Sequence, residues 1–303
     1  MSTTFNLKAS KAMRTMNGPG AILRQKVNER RALLVAGAAN ALAARVIEEE
    51  GFEAVYLTGA GVTNTFYGMP DLGFVTLTDL ALHTAAMRDA VALPIIVDAD
   101  TGFGNELNVY HTVRTLERAG ANAVQLEDQS LPKKCGHFND KSVIPAVEAA
   151  SKIKAAVDAR ISDDFLIIAR TDAAAVEGFD AALDRARMYI ESGADITFVE
   201  APASVEDLRR IPQALSVPQL VNVVIGGKTP TLGLDEFSRL GYGLVLYANA
   251  SLQGAVLGMQ RALRQLKLTG RLDEDSELVA TFEDRQRMVR KDYFDVLASK
   301  SRF

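Results

Sequence analysis

The chain contains one cysteine, Cys135, and only three histidines, and it has no apolar run long enough to cross a bilayer. A single thiol excludes disulfides within the chain and fits a reducing compartment. With so few His and Cys residues, a zinc centre is disfavoured. Nor is there a long run of Lys and Arg: 34 basic residues against 38 acidic ones give a net charge of −4. That balance argues against nucleic acid or an anionic membrane as a partner. The opening stretch, "MSTTFNLKASKAMRTMNG", lacks an apolar core of signal-peptide length and is expected to form an arm or lid. A cytoplasmic location is expected. No low-complexity stretch or interdomain linker interrupts the sequence, so residues 1–303 read as one domain.

What the chain does have is a repeating pattern. Short apolar runs recur at 32–39, 54–61, 94–100, 123–128, 165–173, 196–201, 219–224 and 244–250. Their hydrophobicity is continuous rather than alternating, which suits strands buried on both faces of a parallel sheet. Amphipathic segments lie between most of them, several ending in Gly, a residue common just past a helix C-terminus. One helix-to-strand joint is repeated four times, as "GFEAVYL", "GANAVQL", "GADITFV" and "GYGLVLY".

Eight strands alternating with helices predict a (β/α)₈ TIM barrel. A doubly wound open sheet is disfavoured, because no G-x-G-x-x-G follows the first run. From about residue 255 to 303 the pattern is helical and charged beyond what an eighth helix requires, and it reads as a helical C-terminal appendage for subunit contact.

In such a barrel the C-terminal strand tips converge on one mouth. The tips here carry Tyr56 and Thr58, Asp98 and Asp100, Glu127 and Asp128, Arg170 and Asp172, Glu200, Asn222 and Asn249. Carboxylates brought together repel unless a cation sits among them. "DAD" places Asp98 and Asp100 on one side of a strand, with Glu127 on the next strand. An all-oxygen set favours Mg²⁺ or Mn²⁺ over zinc. The alternative is that these acids are solvated loop residues or helix N-caps.

Two further features carry chemistry. The loop "QSLPKKCGHFNDK" (129–141) flanks Cys135 with Lys133, Lys134 and His137, cations that depress a thiol pKa and suit a nucleophile or proton donor. A small buried hydrophobe is the plainer role for a lone cysteine. Arg170, directly after four apolar residues, suits bidentate capture of a carboxylate, or a structural ion pair with a neighbouring tip acid, or both. His83 and His111 fall on predicted helices as packing or surface residues, and "NVVIGGKTP" either grips an anion or turns the chain.

The pieces "PDLG" (70–73), "DADTGFGN" (98–105), "LEDQ" (126–129), "KKCGH" (133–137) and "IIARTDA" (167–173) together resemble the isocitrate lyase/phosphoenolpyruvate mutase superfamily. The likeness covers most of the chain. It implies a barrel whose eighth helix is swapped between partners, usually in a homotetramer built from dimers. It implies magnesium near Asp71, Asp98, Asp100 and Glu127, held largely through water. A 2-oxo acid would be held by Tyr56, Thr58, Gly59 and Ala60, with Arg170 on its carboxylate.

Cys135 would be the general acid on a mobile loop shared with Lys133, Gly136 and His137, while Glu200 and Asn222 would hold the departing carboxylate. "KKCGH" is similar to the carbon–carbon lyase branch, which implies retro-aldol cleavage of a 2-hydroxy dicarboxylate such as 2,3-dimethylmalate or 2-methylisocitrate. Tyr56 or a water on the metal would serve as base. Gln253 falls where methylisocitrate-cleaving members carry an arginine for a third carboxylate. Phosphonomutase chemistry and oxaloacetate hydrolysis or decarboxylation are rival activities for the same site.

Overall fold

The computed structural model describes residues 18–134, 136 and 141–300. The N-terminal arm expected before residue 18 lies outside the described residues.

The chain begins with α1 (Pro19–Asn28), β1 (Leu33–Ala38), α2 (Ala41–Glu49), β2 (Val55–Leu57), the single turn α3 (Gly59–Val62) and α4 (Leu77–Ala90). It continues through β3 (Ile95–Asp98), α5 (Glu106–Arg118), β4 (Ala123–Glu127), α6 (Ala146–Ala159), β5 (Leu166–Thr171) and α7 (Phe179–Glu191). Next come β6 (Ile196–Val199), α8 (Val205–Ala214), β7 (Gln219–Asn222), α9 (Leu234–Leu240) and β8 (Leu244–Tyr247). Last are α10 (Ala250–Thr269), α11 (Phe282–Met288) and α12 (Lys291–Lys300). The strands are all parallel and close in the order β1 to β8, the barrel that the sequence pattern predicts. The second apolar run is the exception in detail. It leaves the sheet after Leu57 and turns into α3, with the Thr58 hydroxyl accepting the Gly61 N–H.

Period two decides which side chains point inward. Tyr56, Ile96, Ala123, Leu166, Ile168, Ile196, Phe198, Leu220, Leu244 and Leu246 fill the interior, and Leu23 and Val27 of α1 join them to plug one end. Their neighbours Val55, Leu57, Ile95, Val97, Val124, Ile167 and Ala169 face the surrounding helices. Gly37 is required where β1 passes β8: a Cβ there would lie 1.9 Å from the Ala248 carbonyl oxygen. Paired side-chain and backbone caps start α4 (Thr76 with Asp79), α5 (Asn105 with Asn108) and α8 (Ser204 with Asp207).

The appendage is helical, as predicted. None of α10, α11 and α12 buries a residue, although α10 carries Val256, Leu257, Met259, Leu263 and Leu266. Beside it, Leu34, Ala36, Phe52, Leu232, Phe237 and Val245 line an apolar groove of about 330 Å³. No helix among the described residues is long and apolar enough to cross a membrane.

Candidate active site

Following the inward set up each strand leads to one end of the barrel. Tyr56 and Asp98 lie inward on β2 and β3, Glu127 and Arg170 are direct register partners on β4 and β5, and Glu200 follows β6. These residues line one cavity with Thr58, Ala60, Asp71, Lys133, Lys134, Gly136, Phe198, Asn222, Val224, Leu246, Ala248 and Asn249. Asp100 adjoins it: a Cβ on Gly59 would lie 3.5 Å from Asp100 Oδ1 and 3.6 Å from Asp98 Oδ2. Asp100 is held in the left-handed region at φ +47°, a conformation that aspartate tolerates better than most residues.

Protein cations already stand among the acids. Lys133 Nζ lies 2.5 Å from Asp71 Oδ1 and 2.7 Å from Asp100 Oδ1. Arg170 grips Asp172 through two contacts, 2.9 Å to Oδ2 and 3.1 Å to Oδ1, and its Nη1 lies 3.0 Å from Glu127 Oε2. Its guanidinium also sits 5.4 Å from the Phe198 ring centroid. Lys141 Nζ lies 2.7 Å from Asp172 Oδ1 and also donates to the Gly136 carbonyl. Gly136 comes close to both Arg170 and Glu200, because a Cβ there would lie 2.3 Å from Arg170 Nη2 and 2.6 Å from Glu200 Oε1.

Burial sets the proton affinities. It pushes the Asp98 and Glu127 carboxyls up, against the pull of Lys133 and Arg170, and takes Asp100 up to about 7. Burial acts the same way on Asp172, but Arg170 and Lys141 outweigh it and hold this carboxyl below its ordinary value. Burial works against the Arg170 charge, yet Asp172, Glu127 and Glu200 keep the guanidinium protonated. Tyr56 is raised well above the usual phenol by burial and then by Asp98. Its phenol is therefore placed as a hydrogen-bond donor at the mouth at neutral pH.

Residues 23–267 match the sequence profile of the family described as phosphoenolpyruvate phosphomutase. The chain belongs to that family. It is 44% identical over 252 residues to a 2-methylisocitrate lyase of Aeropyrum pernix, covering 83% of this chain and 81% of that one. It is also 44% identical over 237 residues to a 2,3-dimethylmalate lyase of Eubacterium barkeri, covering 78% and 82%. A crystal structure of 2,3-dimethylmalate lyase superposes with a TM-score of 0.88 at 32% identity, over 94% of this chain and 96% of that one. That structure's own description places it in the PEP mutase/isocitrate lyase superfamily. This phosphomutase-family barrel is an enzyme, a carbon–carbon lyase.

The barrel brings together Tyr56, Thr58, Ala60, Asp71, Asp98, Glu127, Lys133, Gly136, Arg170, Glu200 and Asn222, with Gly59 and Asp100 alongside. Cys135 and His137 lie outside the described residues. Gln253 is not brought to this mouth: it is exposed on α10 and lines a different cavity with Asn40, Asn64 and Thr65. Asp128 is a correction to the tip acids, since it does not line the mouth. Of the outlying histidines, His83 lies edge-on to Phe66 and His111 is exposed on α5.

Sequence reasoning missed the apolar wall of Phe198, Val224, Leu246 and Ala248, whose only signal was ordinary strand hydrophobicity. Among the described residues no three His, Cys, Asp or Glu side chains are arranged to hold a metal directly. The donor chemistry nevertheless fits Mg²⁺. It is all oxygen, its carboxylates outnumber its cations, and Glu127 Oε1 is buried without a hydrogen-bond partner among the described residues.

Proposed function

We propose that this enzyme cleaves the C2–C3 bond of a 2-hydroxy dicarboxylate of the 2,3-dimethylmalate type, releasing pyruvate and a second carboxylate. The observation that carries this reading is the division of the mouth. Lys133, Lys134 and Arg170 all come from the β4 and β5 side, while the lining from β6 to β8 supplies Phe198, Val224, Leu246, Ala248, Asn222, Asn249 and Glu200. A carboxylate suits the first half and an alkyl-bearing fragment the second. The names of the two lyases at 44% identity support the same class. No cation among the described lining residues of β6 to β8 faces a third carboxylate, which favours a dimethylmalate over a methylisocitrate.

Asp71, Asp98, Asp100 and Glu127 would hold magnesium, largely through water. When bound, Mg²⁺ would polarise the substrate's C2 oxygen and offset the acidic excess. Arg170 would bind the C1 carboxylate and the protonated Tyr56 phenol would donate to the 2-oxygen. The hydroxyl proton passes to a carboxylate of the Asp71–Asp98–Asp100 group. The C2–C3 bond then breaks, and its electron pair moves into the departing carboxylate, which Asn222 and Glu200 orient. The Cys135 thiol gives its proton to the new carbanion. Lys134 and Gly136, its neighbours in sequence, both line the mouth. The cavity is narrow, about 40 Å³, and on this reading Lys133, Lys134 and Gly136 move aside as a dicarboxylate enters.

The same reading makes the protein a cytoplasmic homotetramer in which α10 is exchanged between copies. Product analysis by nuclear magnetic resonance tests the activity, run with Mg²⁺ on dimethylmalate, methylisocitrate, oxaloacetate and phosphonopyruvate. Turnover of dimethylmalate at least about tenfold above methylisocitrate in kcat/KM is expected, a difference of about 1.4 kcal/mol. Preference for phosphonopyruvate or oxaloacetate would move the assignment to mutase or hydrolase chemistry.

A further inference from the structure

Directly behind the mouth, Asp128 collects four donors while facing away from the cavity. Its Oδ1 accepts the backbone N–H of Asp172 at 2.9 Å. Its Oδ2 accepts the hydroxyls of Thr171 at 2.7 Å and Tyr189 at 2.8 Å, and Nη1 of Arg185 at 3.3 Å. Asp128 is 2% exposed. Arg185 is fixed in turn by two 2.7 Å contacts to Glu177 and by donating to the Ile144 carbonyl at 2.8 Å. The residue whose backbone Asp128 holds is Asp172, whose carboxylate accepts two hydrogen bonds from Arg170.

We infer that Asp128 is the positioning residue for Arg170. Stability alone gives little reason to bury a carboxylate at this point, since well-packed apolar groups often serve as well or better. Four convergent donors do something an apolar group cannot: they define one position for the β5 tip, and hence one direction for the guanidinium beyond it. The path runs from Arg185 and Tyr189 through Asp128 to the Asp172 backbone, and from the Asp172 side chain to Arg170. The inference rests on the reading that Arg170 holds a substrate carboxylate.

The test is a double-mutant cycle on the full-length protein with Mg²⁺ present, read as the Kd of oxalate by calorimetry. Asp128→Asn should weaken oxalate about tenfold and raise KM more than it lowers kcat. In an Arg170→Lys background, where the clamp no longer directs a guanidinium, Asp128→Asn should change the Kd by less than twofold. Tyr189→Phe, which removes one donor and keeps the carboxylate, should show a smaller loss with the same dependence on Arg170. It also stands in if Asp128→Asn does not fold.

Equal weakening in both backgrounds, or a fall in melting temperature with unchanged Kd, would overturn the positioning role. So would unchanged oxalate affinity in Arg170→Lys alone. Because oxalate binding needs no turnover, failure to cleave dimethylmalate would sink the lyase assignment and leave this cycle readable.

Discussion

Lys133, from the loop after β4, places its ammonium 2.7 Å from Asp100 at the tip of β3, with side chains only 5% and 7% exposed. The same ammonium touches Asp71, so one loop residue ties three segments of the chain across the mouth. Loop and acidic centre are thereby one electrostatic unit. Whatever enters the mouth must replace what Lys133 supplies or share it.

Replacing Lys133 by Met should therefore cost both activity and stability. Removing one partner of a buried pair costs about 3–5 kcal/mol, and the loss is concentrated at the mouth. We expect kcat to fall at least about 100-fold, or about 2.7 kcal/mol, with a melting midpoint several degrees lower. Steady-state kinetics and calorimetry on the same preparation check this.

Gly136→Ala should separate loop approach from stability. The added methyl would meet Arg170 Nη2 at 2.3 Å and Glu200 Oε1 at 2.6 Å, so the loop cannot settle over them. A loss of at least about tenfold in kcat/KM, about 1.4 kcal/mol, is expected with an unchanged thermal midpoint. A large drop in that midpoint would show instead that the contact belongs to folding.

Three buried phenols give a pH dependence. Tyr56, Tyr189 and Tyr242 are all raised above the ordinary phenol, by burial first. The folded chain thus keeps protons that the unfolded chain releases near pH 10. Their stabilisation is whole below that pH and is lost as pH rises further. Ultraviolet titration should find these three ionising only as the fold is lost. Tyr242→Phe, which loses the 3.0 Å bond to the Leu208 carbonyl, should reduce the alkaline slope of stability.

The exposed apolar residues of α10 predict self-association. Leu263→Asp together with Leu266→Asp should lower the molar mass seen by light scattering from that of the proposed tetramer toward monomer. An unchanged mass in the variant, or a monomeric parent protein, would count against helix exchange.

Much of the fold was legible because parallel strands buried on both faces leave unbroken apolar runs, and eight such runs became eight strands. The mouth was legible where a charge ended a run, as at Asp98, Glu127 and Arg170. Period two also explains the error at Asp128: one residue beyond inward Glu127, it turns outward to Tyr189 and Arg185. The wall formed by Phe198, Val224, Leu246 and Ala248 was hidden, because an apolar residue lining a cavity looks in sequence like one filling a core. The sequence left Arg170 open between carboxylate capture and an ion pair with tip acids. The structure shows the ion pairs, with Glu127 and Asp172.

The central claim is carbon–carbon cleavage with protonation by the enzyme. It is met most directly by nuclear magnetic resonance of the products from 2,3-dimethylmalate and Mg²⁺ in deuterated water. The account predicts pyruvate and propionate in equal amounts, with one deuterium placed stereospecifically at C2 of propionate. Cys135→Ser should abolish both products. Propionate deuterated without stereochemical preference, undiminished products from Cys135→Ser, or no pyruvate at all would contradict it.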